Sequence, residues 1–151
     1  MNFKKLHQDA KEPTRGSEFA AGLDLCTIEN ADIAPGKSAI LKTGLAFAIA
    51  EGWGGFIQPR SKLGAKKQVQ IIGAVKENNQ ELARVIDSDY RGEVMIALLN
   101  SGDTTLELRK GDKMCQMVIM PVYMGNVTED NNLDDTGRGN AGINSTEMRL
   151  R

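Results

Sequence analysis

The sequence predicts an all-β domain, and three observations carry that expectation. Sixteen glycines punctuate the 151 residues. Short apolar runs recur at even spacing between turn signals, as in sandwiches and barrels and unlike alternating βαβ units. Helix candidates are few: residues 61–67 have room for a turn or two, and residues 76–84 are polar enough to be a loop.

Taken in order, the expected strands are residues 38–42, 45–49, 55–58, 69–72, 94–99, 105–108 and 114–120. Each is apolar or alternating. The breaks between them carry turn residues: Ala34-Pro-Gly36, Glu51-Gly52, Ser101-Gly-Asp103 and Lys110-Gly-Asp112. No internal repeat is present. From Gly125 onward the chain turns rich in Asn, Asp, Gly and Thr and poor in large apolar residues. Such a stretch cannot bury itself, so residues 1–124 read as a core and 125–151 as a mobile arm.

Bulk properties narrow the function. Apolar residues make up 40% of the chain, enough for one core. The net charge of -1 gives no global field for duplex nucleic acid, so any phosphate must be bound by local groups. No apolar run reaches the length of a membrane span, and the N-terminus lacks a signal-like apolar segment. No nucleic-acid or membrane partner is expected, and the location reads as cytoplasmic. Cys26 and Cys115 read as buried free thiols in a reducing compartment. His7 is the only histidine, which excludes histidine-cluster zinc sites and disfavours a Ser-His-Asp triad. A base is then expected to be a carboxylate, and a metal to be a hard cation held by oxygens.

Three segments carry candidate chemistry. Arg84-Val-Ile-Asp-Ser-Asp-Tyr-Arg-Gly-Glu93 sets Asp87, Asp89 and Tyr90 between two apolar runs, which predicts a β-hairpin with the acids in its turn. A carboxylate there can serve as a general base or metal ligand, and the tyrosine offers a flat face to a ring. Plain turn chemistry accounts for Asp-Ser-Asp equally well. Gln58-Pro-Arg-Ser-Lys-Leu-Gly-Ala65 places Arg60, Ser61 and Lys62 where a short helix would begin. That arrangement suits an anion, or merely a capped turn with Ser61 as the cap. Gly137-Arg-Gly-Asn-Ala-Gly-Ile-Asn-Ser-Thr146 is either a flexible linker or a phosphate cradle in which Arg138 forks onto oxygens.

Five segments in fixed order bear on these alternatives together. They are Ala20-Ala-Gly-Leu-Asp-Leu25, Pro59-Arg-Ser-Lys-Leu-Gly64, Ala83 to Glu93, Gly111-Asp-Lys-Met-Cys-Gln-Met117 and Arg138-Gly-Asn-Ala-Gly-Ile-Asn-Ser-Thr146. In order and spacing they resemble the five motifs of the homotrimeric dUTPase family, over about residues 20–146. The resemblance implies a distorted jelly-roll-like β-barrel. It implies a trimer whose three active sites each draw on three subunits: motifs one, two and four from one chain, motif three from a second, the arm from the third. It implies Mg²⁺-dependent cleavage of dUTP to dUMP and pyrophosphate.

Carried onto this chain, Asp87 matches the base that orients and deprotonates the attacking water at the α-phosphorus. Tyr90 matches the aromatic under the deoxyribose. Arg60, Ser61 and Gly64 match phosphate binders, with Lys62 among them, and Gln116 matches the glutamine of motif four. Asp24 matches the acid near the hydrated metal. Arg138, Ser145 and Thr146 match the arm that closes on the outer phosphates.

The chain departs from the family at several points. Ile143 stands where an aromatic usually caps the uracil, flanked by Ala141 and Asn144 in place of glycines. Arg84 replaces a glycine of motif three, and residues 69–82 form a longer, more polar segment than usual. These departures fit drift in a divergent member, a viral source included, in which case the host cytoplasm is the location. Two enzyme alternatives keep the same wider fold: a changed base preference among deoxynucleotides, or a relative of dCTP deaminase acting through Glu77 or Glu81. A third alternative is a regulatory protein that signals by ordering its arm.

Overall fold

The computed structural model describes residues 1–75, 80–81, 84–137 and 139. Among them the chain forms fourteen strands and a single helical turn. The strands are β1 (Asn2–Lys5), β2 (Thr14–Arg15), β3 (Gly22–Cys26), β4 (Ala31–Ile33), β5 (Ser38–Lys42), β6 (Leu45–Ala48) and β7 (Trp53–Gln58). They continue as β8 (Val69–Ile72), β9 (Ala74–Val75), β10 (Gln80–Glu81), β11 (Val85–Ile86), β12 (Met95–Asn100), β13 (Leu106–Leu108) and β14 (Lys113–Pro121). The all-β expectation holds, and the seven expected strands are all present.

Three of the four predicted breaks show the expected chemistry directly. Gly36 (φ 71°) and Gly52 (φ 79°) adopt the left-handed backbone that side chains resist, so the chain reverses there at low cost. Asp112 closes its turn by accepting from the Arg109 N–H at 2.8 Å.

A five-stranded sheet runs in the order β11-β7-β14-β3-β2, and a three-stranded sheet in the order β5-β12-β8. Three two-stranded ladders, β1-β6, β13-β4 and β10-β9, complete the strand pairing among the described residues. The position of β12 explains its sequence. Met-Ile-Ala-Leu-Leu-Asn is almost continuously apolar because it lies between β5 and β8, with Ile96, Ala97 and Leu98 buried in succession. By contrast β8 and β13 alternate, with Gln70 and Glu107 turned outward.

The core joins the sheets through Leu25, Leu45, Ile96, Leu98, Met114 and Met117, all below 2% exposed. Each such side chain contributes about 1.5–3 kcal/mol by leaving water. Asn100, 1% exposed, is a polar residue buried within that core. Its amide donates to the carbonyls of Ile33 and Thr104, both at 2.8 Å, and its oxygen accepts from Gly102 N–H at 3.0 Å.

Two expectations need correction. Residues 85–86 and 94–99 do not form a hairpin: Val85 and Ile86 pair with Phe56 and Gly55 of β7, while β12 pairs with β5 and β8. The buried Ile86 finds more apolar cover beside β7 than a short local turn would provide. Ser61 is not a capping residue either. It takes a helical backbone at the start of the Lys62–Lys66 π-helical turn and makes no side-chain capping bond.

Candidate active site

Motif one enters the structure as β3 and motif four as β14, paired so that Gln116 faces Asp24. Gln116 also faces Gln58 at the end of β7, which delivers motif two to the same spot. Three segments distant in sequence thus converge on one cavity of about 320 Å³, lined by Asp24, Arg60, Ser61, Lys62 and Gln116 with the small residues Gly16, Ala20 and Gly22.

Asp24 organises this cavity. It is 7% exposed and carries a charge, so it must be paired. Arg60 Nε donates to Oδ1 at 2.8 Å and Lys113 Nζ donates to Oδ2 at 2.8 Å. Arg60 Nη1 also reaches the carbonyl of Lys113 at 3.4 Å. Gln116 Nε2 donates to the carbonyl of Pro59 at 3.1 Å, leaving its side-chain oxygen over Gly22. Gly64 serves the local fold: its N–H donates to the Arg60 carbonyl at 2.7 Å, and a Cβ there would press on Pro59 at 3.3 Å. The Ser61 hydroxyl, released from capping, stays at the cavity.

Lys113 was not among the sequence candidates. The signal was present in Gly111-Asp-Lys-Met-Cys-Gln-Met117, but a cation three residues before Gln116 should point to the opposite face of a regular strand.

Motif three lies elsewhere on the same chain. Asp87 is exposed and follows directly on β11. The turn after it is tied by Tyr90 N–H donating to the Asp87 carbonyl at 3.2 Å and by Arg91 Nη1 donating to the Ser88 carbonyl at 2.6 Å. The phenol end of Tyr90 packs against Gly92, where an added Cβ would come 2.4 Å from the phenol oxygen, and its hydroxyl donates to the Glu93 carbonyl at 3.1 Å. The end of the ring is therefore backed by peptide and the residue stays 43% exposed. Asp87, Asp89 and Arg91 line a second cavity of about 580 Å³ with Trp53, Val85 and Met124.

The two cavities occupy opposite ends of β7. Ile86 faces Gly55, whereas Gln116 faces Gln58, three residues along, or ~10 Å at ~3.3 Å per residue. From those points Asp87 and Arg60 lead away from each other. A single chain therefore does not bring Asp87 to the cavity that holds Arg60. Arg138, Ile143, Ser145 and Thr146 lie outside the described residues, as do Glu77 to Asn79. Arg84, where the family has glycine, donates from Nη1 to the Ile71 carbonyl at 3.2 Å and so joins β8 to the segment that leads into motif three.

The thiols beside Asp24 are poorly suited to nucleophilic or metal-binding chemistry. Cys26 and Cys115 are free and buried, and burial pushes both pKa values up, that of Cys115 far above the ordinary thiol range. Neutral thiols are poor nucleophiles and poor ligands.

A cationic, amide-bearing cavity next to one committed carboxylate is suited to a chain of phosphates, and an acid beside an open tyrosine face is suited to the sugar end of a nucleotide. The comparisons agree. The dUTPase family model matches residues 8–147, and the chain belongs to that family. It is 38% identical over 146 residues to the deoxyuridine 5'-triphosphate nucleotidohydrolase of Nautilia profundicola, covering 97% of each chain. Identity to the enzyme of the same name from Picosynechococcus is 39% over 146 residues, again 97% of each. The fold is also that of the Staphylococcus bacteriophage 80alpha dUTPase solved with dUPNHPP, at a TM-score of 0.83 and 22% identity over 96% of both chains.

Proposed function

We propose that this protein hydrolyses dUTP to dUMP and pyrophosphate, with water attacking the α-phosphorus. The observation that carries the reading is the cavity where Arg60, Ser61 and Gln116, from motifs two and four, meet Asp24 from motif one. Arg60, Ser61, Lys62 and Gln116 bind the phosphates, and Gly64 holds the turn that presents them. Asp87 orients the water and takes its proton. Tyr90, backed by Gly92, lies under the deoxyribose and leaves no space for a 2′-hydroxyl.

The rate enhancement rests on positioning and on charge stabilisation of the leaving pyrophosphate. A Mg²⁺ ion carried by the triphosphate fits this donor set. Asp24 is the carboxylate among the lining residues, and each of its oxygens, though paired with a cation, keeps a lone pair for a metal-bound water. When bound, Mg²⁺ would neutralise phosphate charge, and Asp24 would be the residue to hold it, through water. A related dUTPase of S. aureus phage phi11 has been solved with attention to its structural Mg(II) ion.

The active protein is a homotrimer with sites shared between subunits. The separation of Asp87 from the Arg60 cavity at opposite ends of β7 supports this, because a partner's motif three can reach what the same chain's cannot. Exposed apolar groups at the Asp87 end, Trp53, Val85, Met120, Tyr123 and Met124, are suited to subunit contact. Residues 1–124 form the barrel, and the arm of residues 125–151 brings Arg138, Ser145 and Thr146 to the outer phosphates and Ile143 over the base. Every described residue from Glu129 to Gly137 is exposed, which is consistent with a segment that finds its cover on another chain. The protein works in the cytoplasm, of the host if the source is viral. No described helix is long and apolar enough to cross a membrane.

Competition among dUTP, dCTP, dTTP and purine deoxynucleotides at equal concentration, with pyrophosphate and ammonia both measured, tests the reading. Pyrophosphate released mainly from dUTP is expected. A better substrate among the others would show that Ile143 and residues 69–82 have changed the base pocket. Ammonia release would indicate a deaminase, and tight binding without turnover a regulatory protein.

A further inference from the structure

Side chains of a regular strand alternate between its two faces, so residues three apart point opposite ways. In β14 that rule would send Lys113 and Gln116 to different sides. The register shows why it does not. Lys113 pairs with Cys26, but the next residue of β3, Leu25, pairs with Cys115, and Asp24 with Gln116. Met114 is an extra residue, a β-bulge. Its effect is visible in burial, since the consecutive side chains of Met114 and Cys115 are both fully buried. Bulges re-aim side chains next to sites, and this one turns Lys113 to the face that holds Asp24 and Gln116.

We infer that Lys113 is a positioning residue for phosphate binding: the bulge at Met114 delivers its ammonium to Asp24 so that Arg60 keeps most of its guanidinium for the phosphates. Arginine and a carboxylate pair most strongly fork to fork, through two parallel N–H···O bonds. Asp24 holds Arg60 through Nε and Oδ1 alone, because Lys113 Nζ occupies Oδ2 at 2.8 Å. Without Lys113, Oδ2 would draw in a second guanidinium nitrogen and turn Arg60 from the cavity. Lys113 also changes the local charge. Asp24 with Arg60 sums to zero, and Lys113 brings the trio to +1 beside Lys62. Lys113 thus supports affinity for the anionic end of the substrate and does not act at the attacking water.

This inference rests on reading the Asp24 cavity as the phosphate end. Its test uses the full chain with Lys113→Met, Lys113→Gln and Lys113→Arg, measuring dUTP kinetics, melting temperature and, by calorimetry, the binding of inorganic pyrophosphate. Lys113→Met and Lys113→Gln are expected to raise KM and weaken pyrophosphate binding about tenfold, with kcat changed less than about threefold and melting little changed. Lys113→Arg should recover most of both. Unchanged KM and pyrophosphate affinity in the two neutral variants would overturn the inference. So would an arginine variant as weak as they are, or losses that track a fall in melting temperature. The neutral glutamine is soluble in a position where the lysine side chain is 40% exposed, so at least one variant will fold. If the wild type binds pyrophosphate yet cleaves no dUTP, the activity reading fails, and the pyrophosphate comparison still decides the role of Lys113.

Discussion

Gln116 lies so close over Gly22 that a Cβ on residue 22 would sit 2.1 Å from its side-chain oxygen and 2.9 Å from its own Cβ. The two residues come from motifs one and four, on β3 and β14. Gly22→Ala must therefore move Gln116 off Pro59. A loss of about 1–3 kcal/mol in stability from overpacking is expected, together with a several-fold rise in KM for dUTP. Thermal melting and steady-state kinetics on one preparation check both, and an unaltered KM would show that Gln116 does not serve the substrate.

Asp87→Asn keeps shape and removes the proton acceptor. Turnover should fall about 10²–10⁴-fold while nucleotide affinity holds. Near wild-type turnover would mean that another group is the base.

Tyr90 is held by Gly92 and by its hydrogen bond to the Glu93 carbonyl. A ribose 2′-hydroxyl would meet the ring and be buried without a partner. UTP should be cleaved far less efficiently than dUTP, and Gly92→Ala, which lifts the ring, should narrow the difference. Equal efficiency in the wild type would refute the role of Tyr90.

Truncation after Thr136 removes residues 137–151 and with them every arm candidate from Arg138 to Thr146. Catalysis should nearly vanish while melting temperature and oligomeric state, followed by light scattering, stay as they were. A monomeric or collapsed product would make the segment structural.

Asn100 supplies a stability test remote from the site. Asn100→Leu leaves the carbonyls of Ile33 and Thr104 and the N–H of Gly102 without their partner. At about 1–3 kcal/mol for a buried group left unpaired, and with the Thr104 and Gly102 groups partly open to water, a loss of about 1–3 kcal/mol is expected in denaturant melts. A loss below about 1 kcal/mol would show that water replaces the amide.

Much of this molecule is readable from its residues alone. The all-β class and strands such as Ser38–Lys42, a short apolar run, and Val69–Ile72, where a polar residue alternates with apolar ones, follow from local pattern and from turn glycines, because those preferences act within a few residues. Family membership was legible for a similar reason, since the motifs are contiguous strings. Tertiary structure decided what depends on pairing between distant strands. It sent Ile86 to Gly55 instead of into a local hairpin, and it placed Asp87 and Arg60 at opposite ends of β7. It also inserted the bulge at Met114 that brings Lys113 to Asp24. The strand β1 escaped notice because all four of its residues, Asn2 to Lys5, are exposed, so the segment shows no apolar alternation. Register is a long-range choice in which one residue of slip exchanges the two faces of a strand, and no stretch of sequence read by itself contains it.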